Sequence, residues 1–174
     1  LYAAMLSQRT ATAPHKELQD ISEGIQQSLV SAETLLNSLL DITKLESGVL
    51  QTNISTFSLN ELFDSLSKEF AIIAQQKSVR LCFVATSLMV RSDKKLLHRI
   101  LQNLLSNAIR YAKDSSTARV VVGCKRLSSG YLDLVIADNG IGIAKEQQRA
   151  IFNEFHQVDT KQSAQGLGLG LTIV

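Results

Sequence analysis

Cysteine and proline are scarce in this 174-residue chain: Cys82, Cys124 and Pro14 are the only ones. The two cysteines have no Cys-x-x-Cys spacing and lie in strand-like runs. That excludes a disulfide framework or zinc site and predicts buried free thiols in a reducing compartment. No apolar run approaches the roughly 20 residues that cross a bilayer. Leu1 opens inside an apolar-periodic segment, so no leader peptide is expected. No basic run is interleaved with aromatics, which argues against nucleic acid as a partner. The glycine-rich stretch near the end is neither a P-loop nor a dinucleotide fingerprint, since no strand-like run leads into it and no Gly-Lys-Ser/Thr follows.

The remaining composition fits one or two small globular domains. Residues 1–50 hold three basic and six acidic side chains, and residues 51–174 hold fifteen basic and ten acidic. The second part is therefore mildly basic, which suits a polyphosphate ligand.

Residues 16–47 predict one long helix. Leu18, Ile25, Ala32 and Leu39 recur every seven residues, and Ile21, Ser28, Leu35 and Ile42 fill the intervening seam. Leu29 and Leu36 widen the stripe beyond a two-stranded seam, towards a four-helix bundle. Pro14 lies in a turn-like stretch from Thr10, so Leu1–Arg9 reads as the end of a preceding antiparallel helix. Gly48 is a helix stop, which gives a helical hairpin over residues 1–48 with its first helix truncated. Residues 49–56 read as a linker or short strand. A domain over 57–174 follows.

In that domain Ser58 and Glu61 form a capping box, and Phe57 with Leu62 a hydrophobic staple, for a helix reaching Gln76. Strands are predicted at Val79–Val84 and Met89–Arg91, and Ser92 is the predicted cap of a helix to about Ala112. Arg119–Arg126 and Tyr131–Ala137 read as strands joined by a hairpin at Ser128–Gly130, and Lys145–Ile151 as a short helix. The expected fold is an α/β two-layer sandwich with a mixed sheet and helices on one face.

Three motifs carry chemistry. Asn103 and Asn107 are i, i+4 and share a helix face, with Arg110 and Tyr111 one turn on and leucines opposite. An amide oxygen can ligate Mg²⁺, which keeps waters and substrate phosphates in its shell, and Arg110 can pair with phosphate. A solvated polar stripe is the plainer reading. Asp138 ends a strand, where its carboxylate can accept a hydrogen bond from an exocyclic amine such as that of adenine. Gly140 and Gly142 let the backbone approach a flat base. An ordinary Asp-Asn-Gly turn is the alternative. Gly166-Leu167-Gly168-Leu169-Gly170 offers backbone amides that can form an anion nest, or else a mobile linker.

Together, and in this order, these motifs resemble those of sensor histidine kinases. Asn107, Asp138–Gly142 and Gly166–Gly170 match the N, G1 and G2 boxes of that family, Phe152-Asn153-Glu154-Phe155 its F box, and Leu45–Gly48 the end of its second dimerisation helix. The similarity covers essentially the whole chain. It implies a dimerisation hairpin followed by a Bergerat-type ATP-binding domain of the GHKL superfamily, cytoplasmic, with ATP and Mg²⁺ as cofactors. Carried over by position, Asn107 is the Mg²⁺ ligand and Arg110, in place of the usual lysine, contacts phosphate. Tyr111 lines the nucleotide site, Asp138 binds the adenine amine, and Gly140 and Gly142 shape its turn. Gly166, Gly168 and Gly170 enclose the phosphates with Leu167 and Leu169 between them, while Phe152 and Phe155 anchor a lid. The implied partners are a second copy of the chain and a response-regulator receiver domain, separate or fused. Residues 153–159 are similar in particular to hybrid kinases. A membrane anchor, where the parent protein has one, lies in segments outside this chain.

Asn103 separates reaction types. Related ATPases place a glutamate four residues before the metal-binding asparagine, as the general base that activates water. An amide cannot take that proton, so ATP is expected to survive until another nucleophile arrives. The family's nucleophile is a histidine on the first dimerisation helix. His15 lacks the context of that motif, His98 belongs to the helix of Asn103, and His156 follows the F box. The acceptor is therefore expected about a dozen residues before Leu1, some three helical turns. The ending at Val174 suggests truncation at the other end as well. Without the acceptor the chain as written should not phosphorylate itself. A degenerate nucleotide-binding or dimerisation module, and a GHKL ATPase, are the competing functions.

Overall fold

The computed structural model describes residues 51–113, 116–153, 171, 172 and 174, with scattered positions between 21 and 43. Chain contacts divide the protein into two compact units, Leu1–Leu50 and Gln51–Val174.

In the first unit every described position between 21 and 43 is helical, as the heptad pattern predicts. Ser28 Oγ donates to the Gly24 carbonyl at 2.8 Å, and Thr43 Oγ1 to that of Leu40 at 2.8 Å. These bonds let mid-helix hydroxyls satisfy themselves on the preceding turn. The Leu1–Arg9 helix, the Pro14 turn, Leu18, Leu35, Leu39, Ile42 and the stop at Gly48 lie outside the described residues.

The second unit runs β1 (Ile54–Ser58), α1 (Leu59–Gln76), β2 (Arg80–Phe83), β3 (Met89–Asp93), α2 (Lys94–Arg110), β4 (Arg119–Arg126) and β5 (Leu132–Asp138), then one 3-10 turn at Ala150–Phe152. Of residues 49–56, read as a linker or short strand, residues 54–56 belong to a strand that continues to Ser58. Only Phe57 of that strand is buried, so its sequence shows no alternation to betray it. The strands form two sheets. β1 pairs antiparallel with β3, while β4 lies between β2, parallel, and β5, antiparallel. Met89–Asp93 is therefore not a member of the larger mixed sheet.

Alternation along β4 and β5 faces Val120 and Val122, both fully buried, towards the core, with Cys124, Leu134 and Ile136 packed beside them. The two helices cover that side. α1 contributes Leu59, Leu62, Phe63, Leu66, Phe70 and Ala74, and α2 contributes Leu101, Leu105, Ala108 and Ile109. A buried side chain of this size stabilises by roughly 1.5–3 kcal/mol. Phe63 tilts against Phe83 with ring centroids 5.6 Å apart, a separation favoured by aromatic pairs.

The helix starts are set by side chains. Ser58 Oγ accepts from the Glu61 amide at 3.4 Å, as predicted, although the Glu61 carboxylate turns to Lys94 Nζ at 3.6 Å. α2 is capped by Asp93 rather than Ser92, because β3 continues through Asp93 in register with Ile54. α1 ends at a turn in which Ser78 adopts φ of 54°, a left-handed conformation uncommon for a residue with a side chain. Residues 145–149 form turns instead of the predicted short helix, and no side chain caps the 3-10 turn after them. Cys82 and Cys124 are free but half-buried, not fully buried. Among the described residues no helix is long and apolar enough to cross a membrane.

Candidate functional site

The site is assembled from the solvent-side stripe of α2 and the turn that follows β5. Helical spacing puts Leu101, Leu105, Ala108 and Ile109 in the core, which leaves Asn103, Asn107 and Arg110 together on the other face. All three are half-buried. Asn103 Nδ2 is buried and has no hydrogen-bond partner. An unpaired buried amide is costly, and an acceptor brought to this face would satisfy it.

α2 closes on Tyr111, whose amide donates to the Asn107 carbonyl at 2.9 Å. The Tyr111 carbonyl in turn accepts from the Ile141 amide at 3.1 Å. This bond joins two segments thirty residues apart in sequence, the end of the asparagine helix and the Asp138 turn. Gly140 is what allows it. A Cβ there would stand 2.5 Å from the Tyr111 oxygen and 2.8 Å from Asp138 Oδ1, and Gly142 has φ of +72°.

Asp138 is the last residue of β5, and its carboxylate is exposed. Oδ1 accepts from the Gly140 amide at 2.9 Å, so the turn role considered for this residue is real. Oδ2 makes no hydrogen bond among the described residues and is open as an acceptor at the mouth of the turn. The turn contact thus occupies one oxygen and leaves the other open.

Asn139 is a structural residue that the sequence reading missed. Its Oδ1 accepts from the Arg119 amide at 2.8 Å, and its Nδ2 donates to the Thr117 carbonyl at 2.8 Å. Together these bonds clamp the Asp138 turn to the start of β4. The Asp-Asn-Gly string carried the signal, but an amide clamp and an ordinary turn asparagine look alike in sequence. A cavity of about 430 Å³ lies beside this clamp, lined by Arg80, Ser116, Thr117, Ala118, Arg119 and Asn139. None of Asn103, Asn107, Tyr111, Asp138 or Gly140 borders it.

Asp93 was missed too. It is the buried charged residue of the described core, 8% exposed. Oδ1 accepts from the Lys95 amide at 2.9 Å and the Leu96 amide at 3.0 Å, and Oδ2 from the Asn53 amide at 2.6 Å. The Leu96 bond, then the Asn53 bond, hold its carboxyl below the usual carboxylate range against the opposing effect of burial.

Phe152 ends the 3-10 turn and is 52% exposed, an apolar ring outside the core. Phe155, His156 and Gly166–Gly170 with Leu167 and Leu169 lie outside the described residues, as does His15. His98 is engaged elsewhere, with Nε2 3.4 Å from Glu69 Oε2 on α1; Glu69 also accepts from Gln102 Nε2.

The chemistry of these groups suits an adenine nucleotide. It offers one free carboxylate oxygen for an amine, one orphaned amide donor, a second amide on the same face, an arginine, and a turn stripped of Cβ atoms where a flat base would approach. Residues 92–174 match the family model for histidine kinase-, DNA gyrase B-, and HSP90-like ATPases. The chain is 34% identical over 155 residues to the sensor histidine kinase GacS of Pseudomonas protegens, a match covering 86% of this chain and 17% of that protein. It is 31% identical over 146 residues to hybrid signal transduction histidine kinase D of Dictyostelium discoideum, covering 80% of this chain and 9% of that one. It therefore spans less than a fifth of either relative. The solved structure of Acinetobacter baumannii histidine kinase AdeS shares the fold, with a TM-score of 0.71 at 21% identity over 99% of this chain and 80% of that one. The chain carries a histidine kinase catalytic ATP-binding domain of this ATPase family.

Proposed function

We propose that the second unit binds Mg-ATP between α2 and the Asp138 turn. The whole protein then transfers the γ-phosphoryl group to a histidine preceding Leu1, and thence to a receiver aspartate. The observation that carries this reading is the buried, unpartnered Asn103 amide, on a helix whose end is hydrogen-bonded to the turn bearing Asp138.

Each side chain has a task in it. The free Asp138 oxygen accepts from the adenine amine, and Gly140 leaves room for the ring. Asn103 Nδ2 donates to a nucleotide oxygen. Asn107 offers its amide oxygen to Mg²⁺ and Arg110 its guanidinium to phosphate, while Tyr111 lines the site. Phe152 and Phe155 anchor a lid, and Gly166–Gly170 enclose the phosphates. Mg²⁺, held through Asn107, would supply neutralisation of phosphate charge, and positioning supplies most of the catalysis in reactions of this kind. Asn103 cannot deprotonate water, which favours a kinase over an ATPase.

Residues 1–48, within the first unit, we read as a dimerisation hairpin, with residues 57–174 as the catalytic domain. Leu29 and Leu36 are each 64% exposed and Leu40 47%, apolar surface that a second copy would cover. The receiver is separate or fused, and the domain works in the cytoplasm.

The test is to extend the chain at both ends and supply Mg-ATP. An acid-labile, base-stable phosphoryl bond that is lost in Asn107→Asp is the expected result. Continuous phosphate release with no phosphohistidine would favour the ATPase, and nucleotide binding with neither activity the degenerate module.

A further inference from the structure

Asp93 does more than cap a helix. A capping carboxylate needs one oxygen for the first amides of its helix, and Oδ1 serves Lys95 and Leu96. The second oxygen holds the Asn53 amide at 2.6 Å. Asn53 stands three residues past the boundary between the two units, at Leu50 and Gln51. One buried carboxylate therefore ties the chain entering the second unit to the first turn of the helix that carries Asn103 and Asn107.

The surroundings stiffen this joint. β1 begins at Ile54, directly opposite Asp93 in the β1–β3 ladder. The next residue, Lys94, reaches Glu61 on α1 at 3.6 Å and lies 5.7 Å from the centre of the Phe57 ring. α2 is a continuous helix from Lys94 to Arg110. At about 1.5 Å of rise per residue, Asn103 lies roughly 15 Å along it from Asp93, and Asn107 roughly 21 Å. A packed helix of that length moves as a rod, so a displacement at its first turn is carried to both asparagines.

We propose that Asp93 is a positioning residue that couples the segment entering the second unit to the nucleotide site, so that movement of residues 51–53 shifts Asn103 and Asn107. The proposal rests on the reading of α2 as the nucleotide helix, and it names a route by which residues 51–53 would act on that site. Coupling of this kind is reciprocal: what moves the segment changes nucleotide affinity, and nucleotide changes the protection of the Asn53 amide.

The joint can be cut from either side while the helix cap is kept. In Asp93→Asn the side-chain oxygen still caps α2, asparagine being a good cap, but the amide nitrogen cannot accept from Asn53. In Asn53→Pro the donor is removed and Asp93 is untouched. The side-chain amide resonances of Asn103 and Asn107, followed by NMR in the 174-residue chain, should move in the same direction in both variants. The double variant should look like either single one. Affinity for Mg-ATP should fall on the order of fivefold, the low end of ordinary couplings between sites. Retained exchange protection at the Lys95 and Leu96 amides identifies an intact cap. Unmoved Asn103 and Asn107 resonances in both variants, with the cap intact, would overturn the joint. Shifted resonances in a chain that binds no nucleotide even as wild type would support the joint and refute the nucleotide reading instead.

Discussion

The two units treat their leucines in opposite ways. In the second, Leu59, Leu66 and Leu105 are fully enclosed and Leu101 is 2% exposed, whereas in the first Leu29 and Leu36 are each 64% exposed. Both segments are amphipathic helices in sequence. The second unit has a sheet to lay its helices on, and its apolar surface closes internally. Among its described residues the first unit keeps Leu29, Leu36 and Leu40 at the surface, where the proposed second copy would cover them. Amphipathic periodicity thus reports that a face will be covered without reporting by what.

Substitutions that act on one unit and spare the other sharpen this contrast. The largest effect is expected from Leu105→Ala, which opens a cavity at the centre of the second unit and should cost about 2–5 kcal/mol, read from chemical denaturation of that unit. Next is Gly140→Ala. A Cβ 2.5 Å from the Tyr111 carbonyl forces the turn off α2, at about 1–3 kcal/mol. The Ile141 amide, the donor to the Tyr111 carbonyl, should then lose exchange protection while the Tyr111 amide and the Val120–Val122 amides keep theirs. Leu36→Asp should leave the second unit's unfolding midpoint within error and shift the chain to monomer in sedimentation. An unchanged sedimentation coefficient would mean that the exposed stripe is not an interface.

Smaller effects concern helix ends. The Asp93 carboxyl is held low in the folded state by the Leu96, Asn53 and Lys95 amides, so its contribution is present above the unfolded carboxyl's titration range. That contribution is lost as pH falls through the lower folded value. Asp93→Asn should flatten the acid limb of the stability curve, and equal acid limbs in wild type and variant would contradict the bonding geometry. Ser78→Gly should raise stability by about 1 kcal/mol, because glycine takes the left-handed conformation without strain.

Much of the second unit was legible in its sequence, for physical reasons that can be named. The start of α1 rests on Ser58, Phe57 and Leu62, residues whose capping and packing roles are local. β4 and β5 show alternation and a serine-serine-glycine turn. What was not legible depends on partners distant in the chain. Ser92 and Asp93 are both good caps, and only the pairing of Asp93 with Ile54 decides between them. β1 buries a single side chain, so its strand nature comes from β3. Residues 145–149 had helical composition, but no side chain caps the turn that follows. Of the motifs, the asparagine stripe on α2 and the Asp138 turn lie in described elements and were readable one by one. The Tyr111–Ile141 hydrogen bond that joins these two was not, since backbone groups leave no trace in sequence beyond the glycine that makes room.

Titration calorimetry of Mg-ATP into the wild-type chain and into Asp138→Asn, with circular dichroism on both, bears most directly on the nucleotide reading. The substitution replaces the free carboxylate oxygen, at a cost of roughly 1.5–3 kcal/mol in a charge-assisted hydrogen bond. Wild type should bind, and the variant should bind on the order of ten- to a hundredfold more weakly with an unchanged spectrum. Equal affinity in the two proteins would reduce Asp138 to a turn residue and place the nucleotide, if it binds, somewhere other than between α2 and the Asp138 turn.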